Sequence, residues 1–302
     1  MGRQVEFKGV KYSYEFEYRD NDILRKSFNS LAAKTFDIDF EEWYKGGYWG
    51  NGYIPHSLVL DNVIVANVSV SIMYFKIFGK KKKYIQLGTV MTESDYRGAG
   101  LSRFLMEEVL KEWEDKCDLI YLFANDSVLD FYPRFGFKET TEYECSLVDI
   151  KKSASNSKRV RKIDMSNDND IITFKNIINN SKEFSPVAVL DNTSVIMFYC
   201  TSFMKENVYY IEEDETIVIA SYDDTALNIQ EIFSFKEVEL NSIIEKMIIN
   251  DVDKVILGFT PFDKSGYKES ILRENDTTLF VKEGKINPFK INKLRFPELS
   301  HT

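Results

Sequence analysis

Apolar and polar side chains alternate along residues 11–19 (KYSYEFEYR), the period of a half-buried strand. The spacing then becomes helical: Ile23, Leu24, Phe28 and Leu31 share one face after the polar start at residues 20–22. Residues 37–53 are aromatic, acidic and glycine-rich, and read as irregular or briefly helical. Two strands follow within residues 57–83, around the turn residues Asp61 and Asn62, and residues 84–92 return as an antiparallel third. After a turn rich in small residues, Phe104, Leu105, Val109 and Leu110 recur near helical spacing, with Leu101 before and Trp113 after them. The unbroken apolar run in CDLIYLFAND predicts a buried strand, and TEYECSLVDI a closing one that ends near Ile150.

Residues 151–162 (KKSASNSKRVRK) are small, polar and basic, as in a linker. The same coarse grammar then repeats. A helix is expected in NDIITFKNIINN, strands in SPVAVLDNTSVIMFYC, VYYIEED, TIVIASY and ALNIQEIFSF, an amphipathic helix in ELNSIIEKMIIN, and strands in KVILGFTP and DTTLFVKEG. The tail INPFKINKLRFPELSHT is proline-punctuated and reads as an extended piece that packs back across the molecule. The fold class expected is α/β, a mixed sheet with helices on both faces, in two similar domains: 1–150, a linker at 151–162, and 163–302.

Composition adds limits. At 302 residues the chain has room for two domains. A formal net charge of -9 argues against a nucleic-acid partner or an anionic membrane. The basic runs at residues 80–83 and 158–162 read as a hairpin tip and as linker. Three widely spaced cysteines, Cys117, Cys145 and Cys200, do not form a disulfide framework and fit a reducing cytoplasm. Only His56 and His301 represent histidine, so no metal-ligand spacing occurs. The polar start MGRQVEFKG carries no signal-peptide pattern.

The candidate chemistry lies at residues 97–102. Gly98 and Gly100 flank Ala99, so the backbone can bend sharply and approach a ligand, and a helix begins at once. Free amides and the macrodipole at a helix start favour an anion, and Arg97 adds a full positive charge. Arg97, Gly98, Ala99, Gly100, Leu101 and Ser102 resemble the pyrophosphate loop Q/R-x-x-G-x-G/A of the GNAT superfamily of N-acetyltransferases, with Ser102 departing at the last position. A second motif resembles that superfamily's ending: Asn125 after a strand, Tyr132 seven residues later, then Gly136 and Phe137.

The resemblance implies a GNAT fold for the first half. It implies direct transfer of an acetyl group from acetyl-CoA, without metal, to a primary amine of a small molecule or peptide. Val90, Met91 and Thr92 would line the pantetheine, the backbone amides of Val90 and Thr92 facing it. Asn125 would contribute to the cofactor site, and Tyr132 would be both a cofactor contact and the general acid. Family members often place a basic Glu on the strand that here reads YIQLG, which offers none. Glu15, Glu17, Glu41, Glu42 or a water chain are the alternatives. Some tandem-domain members use their C-terminal carboxylate, which here would be that of Thr302, with His301 read as an unstructured neighbour. Trp43, Tyr44, Tyr48 and Trp49 either wall the acceptor site or pack locally. The second half, with only KEVE between Phe235 and Leu240, has no phosphate turn and reads as a degenerate GNAT-like domain. The acceptor is an amine, with neither nucleic acid nor membrane as partner, and the protein is a cytoplasmic monomer or homodimer. A non-catalytic acyl-CoA-binding protein is the alternative function, and an aminoacyl transferase using charged tRNA is disfavoured by the acidic charge.

Overall fold

The computed structural model describes residues 2–148, 150, 160–249 and 252–302. In chain order the first elements are β1 (Arg3–Phe7), β2 (Val10–Phe16), α1 (Asp22–Phe36), α2 (Glu41–Lys45), β3 (Tyr53–Leu60), β4 (Val63–Ile77), β5 (Lys80–Thr92), α3 (Leu101–Trp113), β6 (Leu119–Ala124), β7 (Phe137–Glu139) and β8 (Tyr143–Val148). The rest are β9 (Val160–Lys162), α4 (Asp168–Asn179), β10 (Val187–Leu190), α5 (Thr193–Thr201), β11 (Val208–Ile211), β12 (Thr216–Asp223), β13 (Ala226–Ser234), α6 (Leu240–Met247), β14 (Lys254–Leu257), β15 (Lys268–Ile271), β16 (Thr278–Lys282) and α7 (Pro288–Ile291).

Two mixed sheets result. One runs β1-β2-β3-β4-β5-β6-β16-β7, with β10 on the far end of β4, and the other β15-β8-β14-β13-β12-β11-β9. Each contains the same module: an antiparallel pair, then one parallel pair, then two antiparallel partners. In the first sheet these are β4–β5, β5–β6, β6–β16 and β16–β7. In the second they are β12–β13, β13–β14, β14–β8 and β8–β15. The strands β8 and β16 are thus exchanged. Residues 143–148, expected to close the first domain, pair in the second sheet, and β16 returns from the C-terminal half to sit between β6 and β7. Of the expected linker, residues 151–159 lie outside the described residues, and its last three form β9, paired with β11.

Burial explains the layers. The buried stripe Leu101, Leu105, Met106, Val109, Leu110 and Trp113 of α3 packs on one face of the first sheet with Tyr14, Leu58, Val68, Leu87 and Leu122. On the other face α1 contributes Leu24, Phe28 and Leu31 to a cluster with Phe40, Trp43, Trp49 and Tyr53. In the second sheet Ile243, Ile244 and Met247 of α6 meet Val218, Ile229, Val255 and Leu257.

Some local expectations fail. The stretch 185–200, read as one strand, is β10 followed by the helix α5, because Asp191 takes a left-handed φ of 54° and breaks the extended chain. The polar N-terminal segment is an edge strand, β1, paired with β2. The tail does pack back: Phe289, Leu294 and Phe296 join Phe75, Tyr84 and Tyr121 in a core cluster.

Candidate active site

Strands β5 and β6 run parallel and in register only from Tyr84–Leu119 to Leu87–Leu122. Beyond that point β5 continues to Thr92 and β6 to Ala124 without pairing to each other, so the two diverge and, among the described residues, the backbone edge of Gly88 to Thr92 that faces away from β4 has no partner strand. The divergence coincides with a bulge. Asn67 pairs with Met91 and Ser69 with Gly88, which leaves Thr89 and Val90 opposite the single residue Val68.

The glycine turn stands at the mouth of this gap. Gly98 and Gly100 have φ of 72° and 87°, the left-handed region, and a β-carbon on either would meet nothing within 4 Å. Glycine is needed there for backbone conformation rather than for space. The first helical hydrogen bond of α3 runs from Phe104 N–H to the Gly100 carbonyl, 3.1 Å, so the amides of Leu101, Ser102 and Arg103 lie ahead of it. Arg97 is exposed, with its Nε donating to the Thr92 carbonyl at 3.2 Å. The Ser102 hydroxyl is hydrogen-bonded to that of Thr92, which ties the helix start to the end of β5. Lys8, a residue the sequence reading missed, reaches the turn from the β1–β2 hairpin, its Nζ 3.4 Å from the Gly98 carbonyl.

The other expected residues fall into place unevenly. Val90 packs partly buried against the core under α3, whereas Met91 is buried in the cluster on the opposite face. Tyr132 is buried beside Phe131, Phe137 and Phe280, and desolvation pushes its phenol up to about 12. Its hydroxyl has no hydrogen-bond partner among the described residues. Asn125 is turned elsewhere: its Nδ2 donates to the Asp276 carboxylate at 2.8 Å, and the Asp126 amide donates to the same group at 2.6 Å.

On the face of β5 opposite α3, the end of the tail lies across the bulge. A β-carbon on Gly88 would stand 2.5 Å from the Thr302 main-chain oxygen. That oxygen accepts from the Gln86 side-chain amide at 3.1 Å, the Thr302 hydroxyl donates to Ser71 Oγ at 2.7 Å, and Tyr121 donates to Gln86 Oε1 at 3.1 Å. His301 is ordered, contrary to expectation. Its ring stacks on Phe123 at 3.8 Å, its carbonyl accepts from the Tyr199 hydroxyl at 2.8 Å, and burial, followed by the nearby Arg295 charge, lowers its pKa to about 3. Phe198 of α5 stacks on Phe40 at 5.3 Å and meets Trp43, while Trp43 Nε1 donates to the Ser194 carbonyl. Both sheets' helices therefore enclose this face.

Trp43 and Trp49 are core residues, each buried in that cluster, and Trp43 joins it to α5. Glu41 is bound by Arg25 and Asn29, Glu42 by Lys45, and Glu15 by Ser13. Of the base candidates named from the sequence, the His301–Thr302 end is held against β5 at the divergence. The gap's counterpart in the second sheet, where β13 and β14 part after Ile229 and Leu257, is met by the chain itself: Glu298 N–H donates to the Gly258 carbonyl and Arg295 Nη1 to that of Leu257.

Residues 21–140 match the family model for the acetyltransferase (GNAT) domain. That span, rather than the whole chain, is a GNAT domain. Among solved structures, a conserved protein of Enterococcus faecalis V583, a probable N-acyltransferase, superposes with a TM-score of 0.59 at 15% identity, over 90% of this chain and 72% of that one. A GCN5-related N-acetyltransferase from Kribbella flavida gives 0.55 at 14%, over 89% and 71%. Eis1 from Mycobacterium abscessus gives 0.53 at 10%, over 88% and 73%. At these identities the likeness is one of fold, and it extends past the GNAT domain into the second sheet. No curated protein matches the sequence. Among the described residues, no helix is long and apolar enough to cross a membrane, and no group of three or more His, Cys, Asp or Glu side chains could hold a metal ion.

Proposed function

We propose that this protein is an N-acetyltransferase that moves an acetyl group from acetyl-CoA to a primary amine of a small molecule or peptide. The observation that carries the reading is the parting of β5 from β6 after Leu87 and Leu122, with the Gly98–Gly100 turn at its mouth. The residues present fit the coenzyme. The amides of Leu101, Ser102 and Arg103, together with Arg97 and Lys8, would hold the pyrophosphate, and the unpaired edge of Gly88 to Thr92 would hold the pantetheine. Asn125, whose Nδ2 is engaged by Asp276, would contribute to the site through its remaining side-chain oxygen.

Acetyl-CoA supplies an activated thioester. The chain supplies orientation and charge. A main-chain amide at Val90 or Thr92 would donate to the carbonyl oxygen as negative charge develops there. The Gln86 amide fixes the Thr302 oxygen over Gly88, where it would accept a hydrogen bond from the incoming amine. Tyr132 stays protonated at neutral pH, since burial raises its phenol to about 12. A thiol titrates near ~8.5, so full transfer from that phenol to a thiolate is uphill by ~3–4 pK units. Tyr132 thus serves the departing sulfur first as a hydrogen-bond donor, and as an acid only when binding changes its surroundings.

Calorimetry with CoA, and thiol release from acetyl-CoA against a panel of polyamines, aminoglycosides and amino-acid amines, test the proposal. Binding with amine-dependent thiol release is the expected result. Binding without release from any amine would make the protein an acyl-CoA binder, and no binding would remove the assignment.

A further inference from the structure

Thr89 has a φ of 44°, in the left-handed region, where a β-branched side chain is rarely found. It is one of the two residues that the bulge sets against Val68, and it follows Gly88, the first residue of β5 past the end of its pairing with β6. Strain of this kind persists only where surrounding groups hold it. Here the holding groups are identifiable. Asn67 Nδ2 donates to the Thr89 carbonyl at 2.8 Å, and the Thr89 hydroxyl meets the Tyr53 hydroxyl.

Asn67 is itself fixed on every side. Its Nδ2 also donates to Ser69 Oγ at 2.9 Å, and its Oδ1 accepts from Ser57 Oγ at 2.8 Å. Ser57 in turn meets the Tyr18 hydroxyl at 2.6 Å. Asn67, Ser57 and Ser69 are completely buried. Apolar side chains at these positions would hold the sheet together with no desolvation penalty, so cohesion does not account for the network. What it adds is a specified backbone conformation at one residue of β5.

We propose that Asn67 is a positioning residue for acyl transfer: through the Thr89 carbonyl it keeps the bulge in the left-handed conformation that presents the free edge of β5 to the thioester. This rests on the acetyltransferase reading. The role is to aim main-chain donors rather than to touch substrate, and it assigns Tyr53, Ser57 and Tyr18 to the support of Asn67 and Thr89.

The test compares wild type with Asn67→Leu, Thr89→Gly and the double variant, by hydrogen exchange of the amides at residues 88–92, by CoA calorimetry and by acetyl-CoA turnover. Asn67→Leu is expected to speed exchange at residues 88–92 about tenfold or more and to lower kcat about ten- to hundredfold. CoA affinity falls far less than kcat, by about threefold at most, because the pyrophosphate contacts at the glycine turn are untouched. Glycine accepts the left-handed conformation at no steric cost, so Thr89→Gly in the Asn67→Leu background restores most of kcat. Asn67→Ser is held to the same outcomes should the leucine variant not fold. Unchanged exchange at residues 88–92, a parallel loss of kcat and CoA affinity, or no rescue by glycine overturns the proposal. If wild type binds no CoA, the acetyltransferase reading falls, and exchange alone still decides whether Asn67 holds the bulge.

Discussion

The side-chain amide of Gln86 and the main-chain oxygen of Thr302 are hydrogen-bonded at 3.1 Å across 216 positions of sequence. Through this contact the last described residue of the tail becomes part of the strand at the centre of the GNAT domain. Removal of His301 and Thr302 is expected to lower turnover by about 100-fold or more while CoA affinity changes by less than about threefold, because the coenzyme's cradle is on other elements. Steady-state kinetics beside calorimetry would show the split, and a matching loss of CoA affinity would contradict it.

Gly100 allows charge and backbone strain to be separated. Its φ of 87° makes any L-residue there costly by ~1–2 kcal/mol, so Gly100→Ala and Gly100→Glu are both expected to lose about that much stability. Only the glutamate puts negative charge beside the amides of Leu101 and Ser102. CoA affinity is expected to fall more than about 100-fold for Gly100→Glu and much less for Gly100→Ala. Equal affinities of the two variants would show that phosphate does not bind at this turn.

Tyr132→Phe removes a hydroxyl and leaves the ring packed against Phe137 and Phe280. The expected result is a fall in kcat of about 100-fold with little change in CoA affinity. Because the phenol titrates near 12, the wild-type profile of kcat against pH should show no descending limb from this group up to about pH 10. A limb near neutrality that disappears in Tyr132→Phe would mean a phenol far more acidic than its burial allows.

Stability against pH has two opposed contributions. Burial lowers the pKa of His56 from 6.5 to about 4, so the unfolded chain binds more protons between these values. The stability from neutral His56 is present above about pH 6.5 and is lost as pH falls through 4. Burial raises Glu142 to about 7 and Glu231 to about 8, so their contribution is present below about 4.5 and is lost as pH rises through those values. Glu231→Gln should therefore raise Tm at pH 8 relative to pH 5 when compared with wild type, and His56→Gln should flatten the decline below pH 6.5. Thermal melts across pH 4–9 would check both.

The turn at residues 97–102 could be recognised in the sequence because its requirements are local: two left-handed residues, a helix start and a charge. Tyr132 and Asn125 were found by spacing, but spacing cannot say that Asn125 is bound by an aspartate 151 positions away. The polar row Ser57, Asn67, Ser69 and Ser71 has a signal, small polar residues on alternate positions within otherwise apolar strands, but that pattern by itself predicts only strand. The exchange of β8 and β16 had none. Each is a short strand whose own pattern fits either sheet, and pairing partners are chosen by what the rest of the chain leaves open.

That exchange makes the second half a structural requirement of the first. Phe280 on β16 is buried beside Tyr132 in the core under α3. Phe280→Ala is expected to destabilise the protein by about 3–5 kcal/mol and to perturb the GNAT domain, seen as a lower Tm and weaker CoA binding together. Residues 1–142 expressed alone should fail to give a cooperative melt, whereas co-expression with the remainder should restore one.

As the chain leaves the ribosome, β7 emerges with no neighbour to receive it, since its one pairing partner among the described residues is β16. The groove between β6 and β7 stays open until residues 278–282 have been synthesised, more than a hundred amino acids later. The half that carries the glycine turn is therefore made first and completed last, and a nascent polypeptide stalled anywhere between would expose an interior strand edge to solvent and to other chains.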